Sequence, residues 1–225
     1  RSQYRHTLRQ RELLAAAPRL LAVSTVSVGY NHFDLAAMRE RGVVGTHTPH
    51  VLDDTVADLV LALMLAAARR IPELDAMVKA GLWGKDGVPE EQIFGMDVHH
   101  AVLGIIGLGR IGEAIAQRAV HGFSMKLLYH NRKRNPAAEL KYGAVYCGLD
   151  ELLCESDFVV LMMPQTPETE RFFGKEHFEK MKPTAFFINA SRGGVVREED
   201  LAAALREGRI RGAGLDVYEL EPVSP

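Results

Sequence analysis

The stretch Val102-Leu103-Gly104-Ile105-Ile106-Gly107-Leu108-Gly109-Arg110-Ile111-Gly112-Glu113-Ala114-Ile115-Ala116 decides the fold. Its opening is an apolar run of the length and type expected of a strand buried on both faces. Its end carries a helical pattern, and a Gly-x-Gly-x-x-Gly motif joins the two. Alone, that motif is weak. Between a strand and a helix each glycine acquires a reason. Gly107 permits the tight turn, Gly109 lets backbone approach a pyrophosphate, and Gly112 lets the helix pack closely on the strand. Free N–H groups and the positive end of the helix dipole then face the phosphates, so Gly107, Leu108, Gly109, Arg110, Ile111 and Gly112 form a candidate dinucleotide loop. The competing reading is a glycine-rich turn that binds nothing.

Working outward, short apolar runs alternate with helical patterns. Downstream strands are expected at 126–130, 144–146, 158–162, 185–189 and 212–216, with helices beginning near Arg110, Pro136, Leu149, Lys175 and Glu198. Upstream, 20–25 and 43–46 read as strands and 34–41 as a helix. The pair Asp53-Asp54 opens a long helix through Arg70, acids first and arginines last, as the helix dipole favours. An irregular stretch follows around Gly81, Trp83, Gly87 and Pro89. The alternation implies βαβ units and an α/β fold with a doubly wound, Rossmann-type parallel sheet.

Composition agrees with a globular chain. The 225 residues are 47% hydrophobic and 25% charged, and 27 Lys+Arg against 29 Asp+Glu give a net charge of −2. That balance argues against disorder and against nucleic acid as a partner. Two cysteines, Cys147 and Cys154, make a disulfide framework or a zinc site a poor expectation and point to a reducing cytoplasm. The first residues, Arg1 to His6, are polar and charged, unlike a signal peptide, and the longest apolar run, 59–68, is too short to span a bilayer. No membrane association is expected.

The strand at 126–130 should end beside the adenosine ribose of a bound dinucleotide, where a carboxylate would favour NAD. No Asp or Glu lies between Glu113 and Glu139, and the strand runs into Asn131-Arg132-Lys133-Arg134. Three cations suit a 2′-phosphate better than a bare ribose, so NADP(H) is the expected cofactor, with NAD(H) second. A solvated basic turn is the plainer alternative for any one of them.

Several other segments resemble the D-2-hydroxyacid dehydrogenase family. They are Phe187-Ile188-Asn189-Ala190-Ser191-Arg192-Gly193-Gly194, Gly214-Leu215-Asp216-Val217-Tyr218-Glu219-Leu220-Glu221-Pro222, the run from Ser24 to Asp34, Gly95 to His100, and Glu155 to Phe158. The similarity runs from about Leu20 to the end and is greatest to bacterial reductases of glyoxylate, hydroxypyruvate and 2-ketoaldonates. The resemblance implies hydride transfer from the nicotinamide to the carbonyl carbon of a small 2-oxo acid, glyoxylate, hydroxypyruvate or 2-ketogluconate, giving a D-2-hydroxy acid. Arg192 would then clamp the substrate carboxylate and carbonyl oxygen, and backbone N–H groups at Val28 and Gly29 would hold the same carboxylate. Asp216 would meet the nicotinamide end, Met163, Pro164 and Thr169 would line the ribose and adenine side with Ala190 nearby, and Glu221 would orient a histidine acid/base. Without the family, Thr166 and Thr169 are loop residues, and Glu221 is an exposed acid before a proline.

The family supplies its catalytic histidine some way after the Glu-Pro pair. The nine histidines here are His6, His32, His47, His50, His99, His100, His121, His130 and His177, and none follows Glu221. Pro49-His50 precedes the cofactor loop, and His99-His100 reads as a capping or surface pair; no metal site is expected. The resemblance divides the chain into a remnant of a flavodoxin-like substrate domain over 1–52 and a cofactor domain over 53–225. The cofactor domain's last strand and the returning helices are expected beyond Pro225. It also implies a homodimer, and a chain with little reductase activity by itself. A non-catalytic dinucleotide-binding or interaction module of the same fold is the alternative, and formate or phosphite oxidation a same-fold runner-up.

Overall fold

The structure, a computed structural model, describes residues 11–84 and 93–223; Gly87, Pro89 and the residues from Arg1 to His6 lie outside them. Two units are distinguished, Arg1–Asp53 with Leu220–Pro225, and Asp54–Glu219.

In the first unit, strands β1 (Ala22–Ser24) and β2 (Val44–Thr46) pair in parallel around helix α1 (Leu35–Glu40). The Asp34 side chain caps that helix by accepting from the Ala37 N–H at 3.0 Å, which explains why the helix starts there. Leu14, Phe33, Met38 and Val43 form its small core.

Helix α2 (Asp53–Ala68) opens the second unit from Asp54 onward, and its buried residues Ala57, Val60, Leu61, Met64 and Ala68 recur at helical spacing along one face. The sequence pattern extends this helix to Arg70. Instead it stops at Ala68, Arg70 takes a left-handed conformation with φ 55°, and helix α3 (Ile71–Lys79) begins with Pro72 in its first turn. The cause is Pro72. Within a continuing helix its ring would strike the carbonyl of Ala68 and it would donate no hydrogen bond, whereas in a first turn neither matters. The two arginines therefore lie past the end of α2 rather than in its last turn.

The remaining elements form one parallel sheet. They are β3 (Val102–Ile106), α4 (Arg110–Phe123), β4 (Lys126–His130), α5 (Pro136–Tyr142), β5 (Val145–Tyr146), α6 (Leu149–Glu155), β6 (Phe158–Leu161), α7 (Lys175–Phe178), β7 (Phe186–Asn189), α8 (Glu198–Arg206) and β8 (Gly212–Leu215). The strand order is β5-β4-β3-β6-β7-β8, with every pair parallel. This is a doubly wound sheet whose order reverses between β3 and β6. Strand residues divide between two cores. Leu103, Ile105, Phe158, Val160, Phe186 and Ile188 join α2 and α4 on one face, while Ile106, Val159, Leu161 and Phe187 join Leu152, Phe178 and Leu201 on the other. That division explains why the strands read as unbroken apolar runs, since both faces are covered.

The register sets up the site. Ile106 pairs with His130 and with Leu161, Leu161 with Asn189, and Asn189 with Leu215. Five strands thus end in one transverse row, and the segments beginning at Gly107, Asn131, Met162, Ala190 and Asp216 leave the sheet at one edge. Among the described residues, no helix is long and apolar enough to cross a membrane.

Candidate functional site

At the order reversal, Gly107 has φ 105°, and a Cβ there would lie 2.6 Å from the Met162 carbonyl oxygen. Only glycine fits such a turn pressed against the end of β6. A Cβ on Gly112 would lie 2.8 Å from the Gly107 oxygen, so that glycine lets α4 close onto the loop. Gly109 differs from both. A Cβ there would meet nothing within 4 Å, so the space in front of it is open. Gly109 precedes α4, no side chain caps the helix from that position, and the first intrahelical bond runs from the Glu113 N–H to the Gly109 carbonyl at 2.8 Å. N–H groups of the first turn come before that bond and need acceptors from outside the helix. Open space beside uncapped helical N–H groups fits a phosphate.

Asn131, directly after β4, pins this loop. Its Oδ1 accepts from the Leu108 N–H at 2.6 Å and its Nδ2 donates to the Leu108 carbonyl at 3.2 Å. Leu108 is therefore held in place rather than offering its N–H to a ligand. The basic run that follows is exposed, but its members are not equivalent. Arg134 donates from Nε and Nη2 to the two carboxylate oxygens of Glu139 at 3.0 and 2.6 Å. This grip holds the Glu139 carboxyl below the usual carboxylate range, with a hydrogen bond from the Tyr129 hydroxyl as the second cause. Burial pushes the Tyr129 hydroxyl up, and its bond to Glu139 adds to the shift. Arg132 and Lys133 are left as the cations not gripped by Glu139.

Across the crevice, the loop after β6 carries Met163, Pro164 and two threonines. The Thr169 hydroxyl donates to the Pro164 carbonyl at 2.7 Å and accepts from the Thr166 N–H at 2.7 Å. Thr166 donates to Glu168 at 2.6 Å. Both hydroxyls thus fix the loop that faces the basic run. Arg132 helps to hold the Glu168 carboxyl low, after the hydrogen bonds from Thr166 and from backbone.

Arg192 follows β7 on a turn that side chains build. Asn189, 1% exposed, accepts at Oδ1 from the Ser191 N–H at 3.0 Å and the Ser191 hydroxyl at 2.8 Å, and donates to the Arg192 carbonyl at 3.1 Å. A Cβ on Gly193 would lie 2.0 Å from the Tyr218 carbonyl carbon and oxygen, so the segment after Asp216 rests directly on this turn. Arg171 holds both sides. Its N–H donates to the Gly194 carbonyl at 2.8 Å, and its guanidinium pairs with Glu199 and Glu219. Asp216 is exposed at the end of β8, with its N–H donating to the Asn189 carbonyl at 3.0 Å.

The second unit therefore gathers Gly107 to Gly112, Asn131 to Arg134, Met163, Pro164, Thr169, Ala190, Arg192 and Asp216 at one sheet edge. Val28, Gly29 and Glu221 belong to the first unit. There the carbonyls of Val28 and Gly29 are occupied, by His47 Nδ1 at 2.9 Å and by the Ser27 hydroxyl at 2.6 Å. Sequence reading singled out Asn131 as a cofactor residue and Asn189 only as part of a motif, and it missed the stapling action of both. Their position at or just after the last residue of a strand that ends at the crevice is the signal that finds them.

His99 and His100 are an exposed pair with ring nitrogens 2.7 Å apart, and the His100 N–H donates to the Phe123 carbonyl at the end of α4. Cys147 is buried, Cys154 exposed, and both are free thiols.

Residues 61–225 match the family described as D-isomer specific 2-hydroxyacid dehydrogenase, NAD binding domain. A curated relative named glyoxylate/hydroxypyruvate reductase B, from Klebsiella pneumoniae, is 54% identical over 212 residues, which are 94% of this chain and 65% of the relative. Among solved structures, a protein from Thermus thermophilus superposes with a TM-score of 0.87 at 43% identity, covering 96% of this chain and 66% of that one. The D-lactate dehydrogenase of Aquifex aeolicus, solved with NAD and lactic acid, gives a TM-score of 0.82 at 35% identity, covering 92% of this chain and 61% of that one. The chain thus spans about two thirds of the length of the proteins it matches.

Proposed function

Because the chain belongs to the D-isomer specific 2-hydroxyacid dehydrogenases, we propose that it is the cofactor-binding portion of a reductase of small 2-oxo acids, glyoxylate and hydroxypyruvate first and 2-ketogluconate next, that prefers NADPH to NADH. One observation carries this reading. The level ends of β3, β4, β6, β7 and β8 put an open phosphate loop, a basic run without a competing carboxylate before Glu139, and the Arg192 turn along one crevice. Ligands of doubly wound sheets bind at such an order reversal.

The chemistry that a bound NADPH supplies is a hydride. The first turn of α4 binds the pyrophosphate through its N–H groups, while Arg132, Lys133 and Arg134 face the 2′-phosphate. Arg192 holds the substrate carboxylate and its carbonyl oxygen, because a guanidinium fork bonds two oxygens at once and stays charged. The N–H groups of Val28 and Gly29, whose carbonyls are already engaged, are further donors for a carboxylate. Glu221 orients the imidazolium that protonates the carbonyl oxygen. None of the nine histidines follows Glu221 in this sequence, so the 225 residues alone turn over slowly while still binding the dinucleotide. A homodimer in the cytoplasm completes the proposal.

The test measures binding of NADPH and NADH, and reduction of glyoxylate, hydroxypyruvate and 2-ketogluconate, with this chain. Tight NADPH binding, weaker NADH binding and slow reduction are expected. Equal affinity for the two nucleotides would remove the NADPH preference, and full turnover would show that another group donates the proton.

A further inference from the structure

The Arg134–Glu139 pair is built asymmetrically. The guanidinium is 63% exposed and the carboxylate 20%, so the carboxylate supports the arginine from beneath. Both carboxylate oxygens are engaged, with the Tyr129 hydroxyl donating to Oε1 at 2.5 Å beside the Arg134 Nε. Tyr129 itself is fully buried in the sheet core, and its oxygen accepts from the Asn135 N–H at 2.7 Å at the start of α5. Asn135 then caps α5 by accepting from the Ala138 N–H at 3.1 Å, and its Nδ2 donates to Glu113 on α4 at 2.9 Å. A continuous chain of hydrogen bonds therefore runs from the core strand β4 to an exposed guanidinium. The guanidinium carbon also lies 5.8 Å from the centre of the Tyr146 ring on β5. Surface arginines are ordinarily mobile and lose rotamer freedom when they bind. This one is fixed in advance at two of its nitrogens, with Nη1 left over by the carboxylate.

We infer that Glu139 is a positioning residue for nucleotide choice: it holds Arg134 at the rim of the crevice so that the guanidinium meets the 2′-phosphate of NADPH without first having to be ordered. Arg132 and Lys133 supply attraction at longer reach, while Arg134 supplies the oriented contact. The inference rests on the proposed NADPH preference and names the residue that sets its size. A carboxylate beneath an arginine also weakens its net attraction for a phosphate. Orientation outweighs that loss here, because the two-bond grip fixes the guanidinium plane, and planar recognition of phosphate depends on that plane.

The deciding measurement is the ratio of affinities for NADPH and NADH, repeated with 2′,5′-ADP and 5′-AMP as probes of the adenosine end alone. Wild type is compared with Glu139→Ala, Arg134→Ala and the double variant. Glu139→Ala is expected to lower the ratio about tenfold, Arg134→Ala at least as much, and the double variant no further than Arg134→Ala. Glu139→Gln, which keeps an acceptor for Tyr129 but breaks the charged grip, lowers the ratio by less and serves if the alanine variant folds poorly. An unchanged or higher ratio in both Glu139 variants would overturn the inference, as would a Glu139→Ala effect that persists without Arg134. A wild type that does not distinguish the nucleotides would instead overturn the NADPH preference itself.

Discussion

Two turns at the same sheet edge are constructed in opposite ways. The phosphate loop after β3 is shaped by missing side chains, with Gly107 pressed against β6, Gly112 against the loop itself, and Gly109 facing open space. The turn after β7 is shaped by side chains, with Asn189 accepting from Ser191 and donating to Arg192, and Arg171 bracing it against Glu199 and Glu219. The first leaves open space in front of backbone; the second braces the segment that carries Arg192, whose Nη1 donates to the Ser191 carbonyl at 2.5 Å. Close approach to a pyrophosphate needs absent Cβ atoms, whereas aiming an arginine needs a rigid mount.

The contrast can be broken at several points, taken from the largest expected effect downward. Gly109→Val should cost no more than about 1 kcal/mol of thermal stability, the loss of a glycine N-cap, because a Cβ there meets nothing within 4 Å. It should weaken NADPH binding about a hundredfold or more if the proposed phosphate site is right, since the side chain would fill that space. A large stability loss in thermal unfolding would show that Gly109 is packed like its neighbours. Gly193→Ala should do the reverse, costing about 2 kcal/mol of stability through its collision with the Tyr218 backbone, with only a small change in nucleotide affinity. Denaturant titration beside nucleotide titration separates the two.

Asn131→Ala comes next. Losing both bonds to Leu108 should cost about 1 kcal/mol and weaken NADPH and NADH to the same degree. A selective loss of NADPH would instead mean that Asn131 contacts the 2′-phosphate region. The smallest effect is a pH dependence at Glu139. Its carboxyl is held below the usual range by Arg134 first and Tyr129 second, so the folded state favours the charged form. The stability this contributes is present above the unfolded carboxylate pKa of about 4.3 and disappears as pH falls through the lower, folded value. Unfolding midpoints of wild type and Glu139→Gln should therefore differ near neutral pH and converge in acid. A difference that persists unchanged in acid would point to packing rather than charge.

Much of the sheet was legible because strands buried on both faces leave continuous apolar runs, as Phe158-Val159-Val160-Leu161 does, and because glycine spacing after β3 has few alternative explanations. The end of α2 was not legible in that way. Local charge favoured helix through Arg70, and the backbone effect of Pro72 two residues later prevailed. The basic run shows the same limit at the site. Three adjacent cations look alike in sequence, and only folding brings Glu139 beneath Arg134.

The sequence by itself determined the α/β class, the glycine turn between β3 and α4 and the family, because these rest on local patterns of apolar runs, glycines and short motifs. Tertiary structure alone decided which strands end level, that Asn131 and Asn189 act as staples, and which arginine is held in place. Those properties depend on residues distant in the chain meeting across a sheet edge, and their separation in sequence leaves no local pattern to read.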